Sequence, residues 1–191
     1  MTNRIEASRG AAGGNKSIYI IEVQPRRTFD EVGGKKNISL MGIAFVALID
    51  PKSDRMTIYT ESEIEACLDA LDSAQMIIGY HLDKFVFPLL AGYRAIDRDR
   101  YHRLDMLDDV NRKIGRKVEI SDLLYGTLEI KRAVDPMKLA RQFQQGEIEL
   151  VKQATAQMAR DLAAIYHYGK EKGYVCINGP FGQRWKISIR W

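Results

Sequence analysis

Ser17-Ile18-Tyr19-Ile20-Ile21-Glu22-Val23-Gln24-Pro25 opens the organised part of the chain. Its continuous β-branched and apolar run over 17–23 reads as a strand buried on both faces, because a half-exposed strand would alternate with polar residues. Pro25 ends the run, since proline removes a ladder donor. Upstream, 1–16 is small, polar and glycine-bearing with no hydrophobic period, so a mobile tail is expected there. Downstream, 26–36 carries Arg26, Arg27, Lys35 and Lys36 around Gly33-Gly34 and reads as a basic loop. Strands are expected over 38–49 and 56–59, separated by the turn Asp50-Pro51-Lys52-Ser53-Asp54.

Thr60 and Glu63 then form a capping-box start, and Ile64, Cys67, Leu68 and Leu71 recur at helical spacing. A short apolar strand is expected over 75–80 and a helix over 83–93, with Pro88 tolerable only in its first turn. Short helices follow over 105–114, 120–128 and 135–145. The segment 147–172 places Val151, Ala154, Met158, Leu162 and Ile165 on one stripe of a long helix ending at Gly173. Finally, 174–191 alternates around Gly179-Pro180-Phe181-Gly182 and reads as a hairpin. Three strands with short connections, then a helix, a strand and mostly helices, predict an α/β fold. Its mixed sheet has leading antiparallel strands, helices on its flanks and a C-terminal β-hairpin, the arrangement of the ribonuclease H-like fold.

At 191 residues the chain suits one domain, placed at 17–175, with 176–191 packed on it or extending it. A net charge of +4 permits nucleic acid without requiring it. The best apolar run, 38–49, falls far short of the roughly 18–20 residues of a membrane span, so no membrane partner is expected. The N-terminus lacks the apolar core of a secretory signal, and a cytoplasmic location is expected. Cys67 and Cys176 are too few and too far apart for a zinc motif and read as packed thiols. His102 and His167 show no ligand spacing.

From about residue 17 to 175 the sequence resembles the ribonuclease H-like 3′–5′ exonucleases with a DEDD site, in particular the branch similar to family B polymerase proofreading domains. Those proteins end their first strand in Phe-Asp-Ile-Glu-Thr, where this chain has Ile21-Glu22-Val23-Gln24-Pro25. Their second motif, Gly-Phe-Asn, three residues, Phe-Asp and a proline two residues on, is followed in spacing by Gly79-Tyr80-His81-Leu82-Asp83-Lys84-Phe85-Val86-Phe87-Pro88. Leu104-Asp105-Met106-Leu107 and Leu123-Leu124-Tyr125-Gly126-Thr127-Leu128 resemble later segments. Gly146-Glu147-Ile148-Glu149 sets the register of the third motif, placing Ala154 on its tyrosine and Met158 on its aspartate.

The resemblance implies that the four metal-binding acids fall on Glu22, Gln24, Val86 and Met158, of which one is a carboxylate. Mg or Mn takes hard oxygen ligands that valine and methionine do not supply. No resident metal is therefore expected, and the preferred reading is a catalytically degenerate domain kept as a nucleic-acid-binding or assembly module. Nucleic acid is the expected partner, with a protein partner in a larger nucleic-acid-processing complex the other candidate. Gln24 and His81 either contact nucleic acid or close the vacated cleft, while Glu22 is either an acid with a residual metal or phosphate-proximal role or a strand-end acid that is solvated or paired with a nearby arginine. A rival reading is an active exonuclease with a rebuilt site, in which Glu22, Asp83, Asp105 and Asp161 gather around Mg or Mn. Another is a pure protein-interaction subunit. The candidate phosphate contacts are Arg26, Arg27, Lys35 and Lys36 in the loop and Arg184 and Lys186 in the hairpin, where Trp185 and Trp191 add a stacking or packing surface.

Overall fold

The structure is a computed structural model describing residues 17–132, 135–179 and 183–191. The expected tail at 1–16 and the centre of the expected hairpin turn, 180–182, lie outside the described residues. Five strands form one sheet in the order β3-β2-β1-β4-β5. These are β1 (Ile18–Pro25), β2 (Ile43–Asp50), β3 (Arg55–Thr60), β4 (Met76–Gly79) and β5 (Arg103–Asp105). β1, β2 and β3 are antiparallel, whereas β4 runs parallel to β1 and β5 parallel to β4. This is the ribonuclease H-like mixed sheet, with β1 at its centre.

Alternation along β1 builds two core layers, one on each face of the sheet. Ile20 joins Ala47, Ile49 and Ile78 under the long helix α6 (Ile148–Lys172), where Met158, Leu162 and Ile165 face them. Ile21 and Val23 join Val46, Leu48 and Ile77 against α1 (Ile64–Asp72) and the segment around α2 (Phe87–Leu90). The double burial of β1 read from its composition is thus the separation of these two layers.

Four expectations need correction. The strand expected over 38–49 is instead a 3-10 turn at Lys35–Leu40 followed by β2 from Ile43. Gly42, at φ 66°, breaks the run, and its carbonyl accepts from the Arg26 N–H at 3.0 Å. β1 also continues through Pro25, with a register shift that absorbs the missing proline donor. The helix expected over 83–93 is a π turn at Leu82–Val86 leading into the four-residue α2, so Pro88 enters a new first turn rather than interrupting one helix. Lastly, β5 was not expected: three residues are too few to show a period. Asp105 ends β5 and caps α3 (Met106–Ile114), accepting from the Asp108 N–H at 2.9 Å.

Helices α4 (Ile120–Leu128) and α5 (Pro136–Gln144) agree with the sequence reading to within a residue. The hairpin, β6 (Tyr174–Asn178) and β7 (Arg184–Ser188), is a separate two-stranded sheet rather than an extension of the main one. Val175, Ile177, Ile187 and Ile189 seal it onto the α6 core layer. Among the described residues no helix is long and apolar enough to cross a membrane.

Candidate functional site

Glu22 and Gln24 share the face of β1 that carries Ile20, and so point toward α6 at the C-terminal end of the strand. Ala154, Thr155 and Met158 of α6 meet them there. Pro136, Lys138 and Leu139 of α5, with Arg132, close a recess of about 530 Å³. Glu22, Gln24, Ala154 and Met158, expected together from the register of the motifs, therefore line one cavity.

Glu22 is 6% exposed, and burial pushes its carboxyl up to about 8, partly offset by the Tyr80 hydroxyl. Strand register explains that neighbour. Ile20 pairs with Ile78 across the parallel β1–β4 ladder, so two residues on, Tyr80 comes level with Glu22 on the same face. The carboxyl consequently holds its proton well above the usual carboxylate range. Gln24 donates its amide N–H groups to the carbonyls of Pro25, at 3.1 Å, and Pro136, at 2.7 Å. The second bond ties β1 to the start of α5, so this side chain closes the wall of the cleft.

Val86 is not in the cleft. It is buried in the opposite core layer with Ile21, Leu82 and Phe87. The acids of the rebuilt-site reading are also dispersed. Asp161 is buried on α6 in an ion pair with Arg132 and accepts from Gln157 Nε2 at 3.0 Å. Asp83 pairs with Arg103 at 3.1 Å. Asp105 accepts the N–H groups of Leu82 and Asp108, and burial raises its carboxyl despite those bonds. Among the described residues no three His, Cys, Asp or Glu side chains converge in a way that could hold a metal ion. A lone carboxyl, a committed amide, a valine facing away and a thioether do not fit a divalent hard cation, which takes several oxygen ligands.

His81 sits at φ 51° at the start of the π turn, a conformation that histidine adopts more readily than most residues. Its Nδ1 and Asp83 Oδ1 are buried without a hydrogen-bond partner. The basic loop docks on the outer side of α5: Gln144 Nε2 donates to the Arg26 carbonyl and to Glu31, both at 3.0 Å. Arg26 pairs with Glu61 at 2.7 Å and covers Phe143, Arg27 donates to the Leu40 carbonyl at 3.1 Å, and Lys35 lies over Phe29. Among the described residues Arg26 alone of the loop's four cations makes an ion pair; Arg27, Lys35 and Lys36 are exposed.

In the hairpin, Arg184 reaches the Thr127 carbonyl at 2.9 Å and Glu129 at 3.3 Å, and the Lys186 ammonium stands 4.5 Å from the Tyr174 ring centre. The two tryptophans do not share that face. Trp185 lies under Arg116 and against Gly179, while Trp191 packs on Gly169 and donates to Asp109 at 2.9 Å.

Sequence reasoning missed Arg132, Lys138, Gln153 and Gln157 as cleft residues. Gln153 and Gln157 flank the Ala154–Met158 stripe one turn apart, a signal the spacing carried. The approach of Arg132 and Lys138 depends on how α5 folds back, which spacing does not express.

No family model matches the chain, and no curated protein matches it. Among solved structures, the chain is similar to the family B DNA polymerase from the hyperthermophilic archaeon Pyrobaculum calidifontis, with a TM-score of 0.58 and 13% identity. The match covers 82% of this chain and 24% of the polymerase chain, so the chain spans about a quarter of that protein's length. At that identity the likeness is one of fold.

Proposed function

We propose that the chain is a degenerate DEDD exonuclease-like domain that binds nucleic acid in its cleft without hydrolysing it. The observation that carries this reading is the composition of the recess. Glu22, whose carboxyl burial holds protonated, is the one acid on the four motif positions, where a nuclease needs several ionised ones, while Lys138 and Arg132, the latter paired with Asp161, line the same cavity beside Asp135, whose carboxylate caps α5. A protonated acid does not repel a phosphate, and Gln142, Gln153 and Gln157, each with one amide N–H given to Glu147, Glu149 or Asp161, keep a second N–H suited to phosphate, sugar or base edges. The exposed Arg27, Lys35 and Lys36 add positive charge beyond the α5 wall. Without an ion clamp, the attacking and leaving oxygens of a phosphodiester lack the metal stabilisation on which such hydrolysis depends.

Filter binding of single-stranded and duplex oligonucleotides over a salt series tests the binding half, and absence of salt-sensitive affinity would reject it. A labelled strand incubated with Mg or Mn tests the other half. Stepwise 3′ shortening would restore the rebuilt-site reading.

A second reading, a protein-assembly subunit, is favoured by Ile148 and Leu150, which are 43% and 46% exposed at the start of α6. Leu150 also lines the cleft, so a partner seated there would cover the same recess. Copurification from the native host, followed by loss of the partner in Leu150→Glu, distinguishes it.

A further inference from the structure

The linker after α4 joins two recesses. Arg132 lines the cleft, and its neighbour Lys131 lines a second depression of about 370 Å³ with Tyr125, Gly126, Asn178 and Arg184. Tyr125 is 38% exposed, and the Lys131 ammonium lies 5.3 Å from its ring centre. Beyond Arg184, alternation along β7 brings Lys186 onto the same face, where it covers Tyr174, and Tyr174 packs edge-on against Tyr168 at 5.8 Å. Two cations thus precede each ring, from Arg132, itself paired with Asp161, through Lys131, Tyr125, Arg184 and Lys186 to Tyr174. Glu129 neutralises Arg184, but among the described residues neither Lys131 nor Lys186 pairs with a carboxylate.

The platform is rigid where it matters. Gly126 lets α4 press directly on β6, since a Cβ there would lie 2.4 Å from the Cys176 carbonyl oxygen. Thr127 Oγ1 donates to that carbonyl and accepts the Cys176 N–H, both at 3.0 Å. Tyr125 is therefore held in fixed relation to the hairpin before any ligand arrives.

We propose that this face is a second contact surface for single-stranded nucleic acid, continuing a track that begins in the cleft. The inference rests on the cleft reading above. An exposed ring, Tyr125, and a half-buried one, Tyr174, that can stack on bases, spaced by cations that can meet phosphates, suit an unpaired strand, because the bases of a duplex are stacked internally. Trp185 is not part of the track, as it points to the opposite face of β7. From Ala154 in the cleft to Tyr168 at the far end, α6 rises about 20 Å, so only a strand of several nucleotides reaches both surfaces.

The test is fluorescence anisotropy with a four-nucleotide and a sixteen-nucleotide oligothymidylate, on the wild-type chain, on Tyr125→Ala/Lys186→Glu, and on Lys138→Glu in the cleft. Circular dichroism and thermal unfolding establish that each variant keeps its fold. The expected result is that Tyr125→Ala/Lys186→Glu weakens the long strand about tenfold and leaves the short one unchanged, whereas Lys138→Glu weakens both. Equal affinities of Tyr125→Ala/Lys186→Glu and wild type for the long strand would overturn the second surface while leaving the cleft reading intact; that is also the outcome if an acidic protein docks there instead. Equal loss for both lengths would overturn the idea of a track that only a long strand spans. If the wild-type chain binds neither strand, the cleft reading falls and this inference with it.

Discussion

Ionisation of Glu22 sets a charge inside the recess against the main sheet, and folding responds to it. Below pH 4.5 the carboxyl is protonated in both folded and unfolded chains and contributes no pH dependence. Between 4.5 and about 8 the unfolded chain releases this proton while the folded chain retains it, so stability falls as pH rises through that window and levels off above it. Glu22→Gln removes the effect. Its stability advantage over wild type should be small near pH 4, grow through neutrality and plateau above pH 8 on the order of a few kcal/mol, since a tenfold change in acidity corresponds to about 1.4 kcal/mol. Urea unfolding of both proteins across that range is the measurement, and parallel curves would show that the carboxyl is not desolvated. The same ionisation should reduce oligonucleotide affinity above pH 8 in wild type more than in Glu22→Gln. Gln24 acts at this scale too: its bond to the Pro136 carbonyl anchors α5, so Gln24→Ala should lower stability by about 1–3 kcal/mol by leaving that carbonyl without its partner.

Between elements, α4 and β6 meet so closely that no side-chain atom fits at the contact. Gly126→Ala would drive a methyl into the Cys176 carbonyl and the Ile177 backbone, at 2.4 and 2.5 Å, and backbone cannot move aside as a side chain tip does. The expected cost is about 3 kcal/mol or more, read by thermal unfolding. Hydrogen exchange should show lost protection concentrated in β6 and β7. Thr127→Val keeps the shape but removes the reciprocal bonds to Cys176, so a loss of about 1–3 kcal/mol is expected. If Thr127→Val unfolded no sooner than wild type, the hairpin would be held by its apolar seal alone. The π turn after His81 is a second element-level feature. It reorients the chain between β4 and α2 and turns Val86 into the core layer opposite the cleft.

For the whole molecule, charge is spread along a path rather than concentrated in one patch. Lys138 and Arg132 line the cleft, Lys131, Arg184 and Lys186 follow the hairpin face, and Arg27, Lys35 and Lys36 lie beyond α5. Each phosphate neutralised on a single strand contributes about 0.7 to the slope of log affinity against log salt. Reversing Arg27, Lys35 and Lys36 together should lower that slope by up to about 2, with little effect on folding because all three are exposed. Arg26 belongs outside this set, since its pairing with Glu61 and packing on Phe143 give it a structural role. An unchanged slope in the triple variant would confine binding to the cleft and hairpin side.

What the sequence by itself determined was period and spacing. The apolar run of β1, the α6 stripe and the capping box at Thr60 and Glu63 are local patterns, and the structure realises each of them. Motif register also brought Glu22 and Met158 into one cavity across more than half the chain. Only tertiary structure decided the rest. A three-residue strand such as β5 exists because β4 offers it an edge, not because its residues carry a period. Val86 faces away because a π turn shifts the helical phase, and Asp161 is committed because a loop delivers Arg132 to it. The neutrality of Glu22 has the same origin: a carboxyl's charge is set by the water it loses, and that depends on the elements folded over it rather than on its place in the chain.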